Sequence, residues 1–346
     1  MLRIAVVALV ALALVFIGSS YYVSRPVVEG TLGEFRPVIA DRADALTFAR
    51  AGKDLILVTA HEVDGITGIN LSKRFGSEVT ADFIAFASTL DETALPIGEA
   101  TLESYPLDAL VMPLSYPYPS IAAGTNFKEH AEEVYSDEPP FLFPKLSAAG
   151  AWNDEVPFLS RLDFEAELCM FPLADIDSPA ALPAFGLVLC NDFTDRLTLI
   201  KEIDLGQPLG LTGFASGKGC EQCLPTGYLV VIPRSADFYL SIQLSLYVND
   251  DLRQAFNMRE VIMPIEEIIA GAFRNSGTEY RTSDGAVQLL PSGHIPKGSL
   301  ILTGTAAGVL FKPLNFWHQG FYLQPGDVVR TEATYLGYLS NTVGEE

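Results

Sequence analysis

Positive charge is scarce in this chain. Of its 346 residues, 22 are Lys or Arg and 43 are Asp or Glu, a formal net charge of −21. That excludes a nucleic-acid partner, because phosphate binding needs clustered Lys and Arg. No run of like charges occurs either, so the acidity is spread over the surface and favours solubility without naming a substrate. Cysteine is rarer still, with only Cys169, Cys190, Cys220 and Cys223. No second C-x-x-C and no spaced His pair accompany Cys220 and Cys223, which excludes a zinc site of ordinary spacing. That pair reads as incidental and able to close a disulfide. Cys169 and Cys190 lie in apolar, strand-like runs and read as small buried hydrophobes. Internal repeats and low-complexity tracts are absent.

What is present begins with an apolar run. From Ile4 to Ser24 no charge appears, and roughly twenty uncharged residues are enough to cross a bilayer. The competing reading is a cleaved signal peptide, for which Gly18-Ser19-Ser20 is a weak small-residue site. Tyr21 and Tyr22 would suit a membrane interface. We expect residues 1–24 to be an anchor or signal segment, with the globular part membrane-anchored outside the cytoplasm. Residues 25–115 then form a connector and a small N-terminal domain, and Pro113 and Pro117 mark its end. Helical patterning is expected from Ala81 to Leu90 and from Pro264 to Phe273. Residues 116–346 carry short strands separated by Gly and Pro turns, a mostly β, α+β pattern.

The chemistry concentrates in two segments. Glu165 and Glu167, two apart in the apolar stretch from Leu162 to Leu168, share one face of a strand. Asp192 follows the strand-like run from Phe185 to Cys190. Three carboxylates, with no His or Cys in the set, suit a hard divalent ion; a solvated strand face with alternating acids is the other reading. Further upstream, His130 and Glu133 stand three apart in a helical turn and share a face. A carboxylate on one imidazole nitrogen raises the basicity of the other, which could then deprotonate water. An exposed helix with an ordinary i,i+3 pair has the same spacing.

These segments resemble one family in order. Gly124 to Glu133 is similar to the G-x-N-Y-x-x-H-A-x-E signature of the fumarylacetoacetate hydrolase family. Asp163 to Leu168 is similar to its D-Y-E-x-E-L segment, and Asn191 to Arg196 to its N-D-x-S-x-R segment. Lys218-Gly219 with Pro225 and Gly227, Val248-Asn249 with Arg253-Gln254, and Leu302 to Val309 resemble further blocks, as do the closing strands from Leu323 and from Gly337. Three departures fall at the pocket: Glu221 for Asp, Ala306 for Pro, and no Trp near Phe214.

The resemblance implies a mixed β-sandwich roll with a smaller N-terminal domain, assembled as a homodimer. It also implies a metal-dependent hydrolase that cleaves a carbon–carbon bond of an acylpyruvate-like or 1,3-dicarbonyl substrate through a metal-stabilised enolate. Mg²⁺, or Mn²⁺ or Ca²⁺, would sit on Glu165, Glu167 and Asp192. His130, Glu133 and Lys218 would be catalytic, and Lys145, Arg253, Gln254 and Thr305 would touch substrate, with packing the other reading for Arg253 and Gln254. Rival readings are 2-oxo acid decarboxylation or hydratase/isomerase chemistry of the same family. A membrane-tethered binding protein without turnover is a third, against which His130 with Glu133 speaks.

Overall fold

Apolar runs of five to seven residues are too short for helices and fit strands buried on both faces. In the computed structural model, which describes residues 2–91, 95, 101–117, 119–180 and 182–345, those runs become the centre of a large sheet. Helix α1 (Leu2–Val23) precedes it. Strands β1 (Ala45–Ala51), β2 (Asp54–Glu62), β3 (Gly65–Asn70) and β4 (Glu103–Pro106) follow, then β5 (Ser120–Gly124), helix α2 (Lys128–Glu133) and β6 (Phe141–Lys145). Next come β7 (Ala166–Pro172), β8 (Phe185–Asn191), helix α3 (Arg196–Glu202) and β9 (Leu229–Pro233). The remainder supplies β10 (Gln243–Val248), β11 (Asp251–Asn257), helix α4 (Ile265–Arg274), β12 (Ile301–Leu302), β13 (Val328–Ala333) and β14 (Gly337–Thr342).

The eleven-stranded sheet runs β4-β3-β2-β1-β9-β8-β7-β12-β5-β6, with a short strand paired to β1. A four-stranded sheet runs β11-β10-β13-β14. The first four strands therefore do not close on themselves. They extend the sheet through β1, which pairs antiparallel with β9 (Thr47 opposite Val231). Every residue of β7 and β8 is buried, and the two pair antiparallel with Glu167 opposite Cys190. That register brings the start of β7 beside the end of β8.

The helices follow local rules. In α4 the buried Ile265, Ile268, Ile269 and Ala272 make one apolar stripe, with Glu266 and Glu267 in the first turn and Arg274 in the last, as packing and the helix dipole favour. The expected helix over 81–90 is shorter, Phe83–Ser88. It is separated from Ser77–Ala81 at Asp82, whose carboxylate accepts from the amide of Ala85 at 3.0 Å. Asp195 caps α3 by accepting from the amides of Leu197 and Thr198, a role short polar side chains fill well.

The cysteine reading needs correction. Cys169 and Cys190 are not free hydrophobes but a disulfide across β7 and β8, with Cα atoms 5.9 Å apart. Sequence spacing could not reveal this, because the pairing depends on the strand register. Cys220 and Cys223 form a second disulfide.

Helix α1 is not merely appended. Its apolar side chains are exposed along most of its length, yet Ser20 is fully buried. The Ser20 hydroxyl donates to the carbonyl of Leu314 at 2.6 Å and accepts from the indole of Trp317 at 2.9 Å. Ser24 accepts from the amide of Asn315 at 2.9 Å, and the rings of Tyr21 and Phe321 meet edge-on at 5.0 Å. The last turn of α1 is thus pinned to the loop 310–321.

Candidate active site

The adjoining ends of β7 and β8 gather the acids. Glu165 precedes β7, Glu167 lies within it, and Asp192 follows β8; the amide of Asp192 donates to the carbonyl of Glu165 at 2.9 Å. Carboxylate oxygens of the three lie within 4.8 Å of one another, and all three side chains are buried. Repulsion among them is offset by three buried cations. Lys218 donates to Glu165 at 2.8 Å, to Asp192 at 2.8 Å and to Thr194 at 2.9 Å. Arg196 bridges Asp163 at 2.8 Å and Glu165 at 2.6 Å. The Lys145 ammonium donates to the carbonyls of Phe193 and Cys223 and lies 2.5 Å from Asp192 Oδ1, an ion pair rather than an aligned hydrogen bond.

Electrostatics divides the acids. Burial alone would raise Glu165, but the charges of Lys218 and Arg196 outweigh it and pull its pKa down to about 2. Glu167 has no such cation in contact. Burial, then Asp192 and Glu165, push it well above the usual carboxylate range. One of its oxygens accepts from the amide of Gly304 at 2.6 Å, while Oε1 is buried with no hydrogen-bond partner. Counting Asp163, four carboxylates face three cations, so the cluster needs either a proton on Glu167 or another positive charge. A divalent ion fits that need and the unpartnered oxygen. Burial lowers the pKa of Lys145, with the charge of Lys218 adding to it against the pull of Asp192. Lys218 is raised, because Asp192 and Glu165 outweigh its burial.

Beside the cluster, α2 presents the dyad. His130 Nδ1 and Glu133 lie 3.3 Å apart, both nearly buried. Glu133 also receives the amide of Gly308 at 3.0 Å and the ammonium of Lys312. Burial would raise Glu133, but the hydrogen bond to His130 and the charge of Lys312 hold it below its ordinary value. His130 is near enough to help hold Glu165 low.

Loop geometry secures these positions. Asn126 donates to the carbonyls of Met263 and Thr303 and accepts from the amide of Met263 at 2.6 Å, which pins the start of α2. Gly304 has φ +84°, and a Cβ there would lie 2.9 Å from the carbonyl oxygen of Ala123, so glycine is required. Asp163 accepts from the amides of Leu310 and Phe311 as well as from Arg196, which ties the loop carrying Lys312 to the acid cluster.

The residues expected from the sequence take different stations. His130, Glu165, Lys218 and Thr305 line one cavity of about 720 Å³, together with Arg196. Lys145, expected to touch substrate, lies beneath the cluster with no exposed surface. Gln254, also expected there, is fully buried: it accepts from the amide of Ala166 and donates to Thr305 and to the carbonyl of Ala306. Its register on β11 makes it a brace between β7 and the Thr305 turn. Arg253, its neighbour, is partly buried and does not line the cavity either. Sequence reasoning missed three site residues. Arg196 and Asp163 stood in the matching segments but were given no role, while Lys312 carried no signal beyond its place in a long loop.

The family model for the C-terminal domain of fumarylacetoacetate (FAA) hydrolase matches residues 120–344. An uncharacterized protein of Staphylococcus aureus strain USA300 is 29% identical over 245 residues, covering 67% of this chain and 71% of that protein. Among solved structures, a fumarylacetoacetate hydrolase from Exiguobacterium antarcticum superposes with a TM-score of 0.59 at 19% identity, covering 88% of this chain and 100% of that one. A fumarylpyruvate hydrolase from Pseudomonas aeruginosa, solved with Mn²⁺ and pyruvate, gives a TM-score of 0.50 at 21% identity over 67% of this chain and 92% of that one. A 2-hydroxyhepta-2,4-diene-1,7-dioate isomerase from Mycobacterium marinum superposes with a TM-score of 0.54 at 19% identity, covering 87% of this chain and 98% of that one.

Proposed function

Because the chain belongs to the family defined by the fumarylacetoacetate hydrolase C-terminal domain, we propose that it hydrolyses a carbon–carbon bond in an acylpyruvate-like or other 1,3-dicarbonyl acid. One observation carries this reading: the Glu165, Glu167 and Asp192 oxygens converge within 4.8 Å of one another, and Glu165 opens that cluster onto the cavity that His130 also lines. A divalent ion on those three residues, Mg²⁺ or Mn²⁺, would supply Lewis-acid polarisation of the substrate's carbonyl oxygen. His130, oriented by Glu133, takes a proton from water as the oxygen adds to the acyl carbonyl. The bond between that carbon and the adjacent CH₂ then breaks, and the proton held by His130 returns to the carbon that leaves. Lys218 and Arg196 supply positive charge at the cluster as negative charge builds on the leaving fragment.

Isomerase or decarboxylase chemistry needs the same polarised carbonyl but no water. The carboxylate-held imidazole favours hydrolysis, since it supplies a base where water would be activated. The test is a panel of acylpyruvates and oxaloacetate with Mg²⁺ or Mn²⁺. His130→Ala should lower turnover roughly 10²–10⁴-fold, with metal affinity almost unchanged, and Glu133→Gln should lower it less. Full activity of the His130 variant would shift the reading to decarboxylation.

We also propose that α1 is an uncleaved membrane anchor with the globular part outside the cytoplasm. Its span from Ala5 to Val23 is long and apolar enough to cross a bilayer, and the buried contacts of Ser20 belong to a segment that stays. Two disulfides suit an oxidising compartment. Recovery of a soluble mature protein beginning near Tyr21 would overturn the anchor.

A further inference from the structure

The cavity has two ends of different chemistry, and hydrolysis uses only one. The inner end is Glu165, Arg196, Lys218, His130 and Thr305. Most of the remaining wall is apolar. Phe141 and Phe143 of β6 pack around Phe214, with ring centroids 4.8 and 5.4 Å from it. Leu199, Ile200 and Ile203 form a second side along and just after α3, and Leu205 stands at the rim, 84% exposed. Phe311 and Phe316 form the third side. At about 720 Å³ the space is in the range of drug-sized ligands, far more than a pyruvate group fills.

The third side also gives the cavity a position. Phe316 is followed by Trp317, whose ring lies 6.0 Å from Phe16 and whose indole N–H reaches Ser20 on α1. The apolar wall is therefore one residue from the end of the helix proposed to span the bilayer. Trp317 itself is 44% exposed, and Trp is favoured at membrane interfaces.

We propose that this site takes an amphiphilic substrate: a 2-oxo or 1,3-dicarbonyl acid headgroup on an unbranched hydrocarbon tail, drawn from the membrane surface. The headgroup half rests on the hydrolase reading above. The tail half rests on the wall and on its place beside α1. The headgroup meets the acid–cation cluster, and the tail lies between the Phe214 rings and the α3 side, with Phe316 at the membrane end.

Chain length is the test. Full-length protein in amphipol with Mn²⁺ would be titrated calorimetrically with straight-chain 2-oxo acids of three to ten carbons, with empty amphipol as the reference. Affinity should rise by up to about fourfold for each methylene buried. Ile200→Asp should cost more affinity the longer the tail, at least about tenfold for the longest acid. Leu205→Asp, at an exposed position that folding does not need, should act in the same sense, and Ile200→Leu should restore the wild-type trend. Equal affinity for all lengths overturns the proposal. So does a length dependence that neither Asp variant changes, since that is partition into amphipol.

Hydrolysis of acylpyruvates with the same tails separates the two readings. Length-dependent binding without turnover of any of them removes the hydrolase and keeps the amphiphile site. Turnover that ignores tail length keeps the hydrolase and removes the amphiphile.

Discussion

Glu167 is the residue on which the charge balance of the site turns. Its folded pKa is raised above the unfolded value, so the ion-free folded chain binds an extra proton between the two. The associated stability is complete below the unfolded value and is lost as pH climbs through the folded one. A bound divalent ion wants the ionised carboxylate, so its stabilisation grows across the same window. Melting temperature should therefore rise with Mg²⁺ or Mn²⁺ more at pH 8 than at pH 5. At a hundredfold excess over Kd the gain is about 2.7 kcal/mol. Glu167→Gln should weaken ion binding severalfold and flatten the pH dependence; calorimetry showing equal binding by both proteins would remove the site. His61 gives an independent check far from the chemistry. It is held neutral by burial, with its pKa lowered from 6.5 to about 4, and bonds to Tyr228 at 3.0 Å. Below pH 6.5 the unfolded chain takes a proton that the folded ring refuses, so stability falls by up to roughly 3 kcal/mol by pH 4. His61→Gln should lack that component of acid destabilisation in urea titrations. At this scale the motif residues were readable because strand and helix periods put Glu165 with Glu167 and His130 with Glu133. For Gln254 the sequence leaves substrate contact and packing open, because only the β11 register shows that its amide meets Ala166 and Thr305.

Among the elements, the loop 310–321 joins distant parts of the chain. Asn315 connects Ser24, the residue after α1, to the backbone of Lys312, and the Lys312 ammonium reaches the Glu133 partner of His130. Contacts across nearly 300 residues, as between Ser20 and Trp317, leave no periodic trace in sequence, which is why neither the helix mooring nor Lys312 was legible. Lys312→Met takes a positive charge from the dyad. Glu133, which that charge helps hold below its ordinary value, should then bind a proton more readily, moving the acid limb of the pH profile of kcat/KM to higher pH. Ser20→Val should move it the same way by a smaller amount, because Lys312 keeps its charge but loses its mooring. Profiles that superimpose would mean the loop holds α1 and nothing more.

At the scale of the whole molecule, the architecture was legible in outline because the buried strands and turn signals of residues 116–346 are strong. The pairing of β1 with β9 was not, since an apolar strand does not announce its neighbour. The compartment has a direct test. With both cysteine pairs joined and none free, alkylation of protein from native membranes should label no cysteine until a reductant is added; ready labelling would place the globular part in a reducing compartment. The double attachment of α1 has a mechanical consequence. The body is held once through the chain running to β1 and again through Ser20 and its loop, so it should not swivel as a load on a single string would. With α1 spanning a bilayer, as proposed above, such a mounting would keep one bearing toward the membrane plane. The encounter between the opening and anything dissolved in that plane would then become a search in two dimensions instead of three.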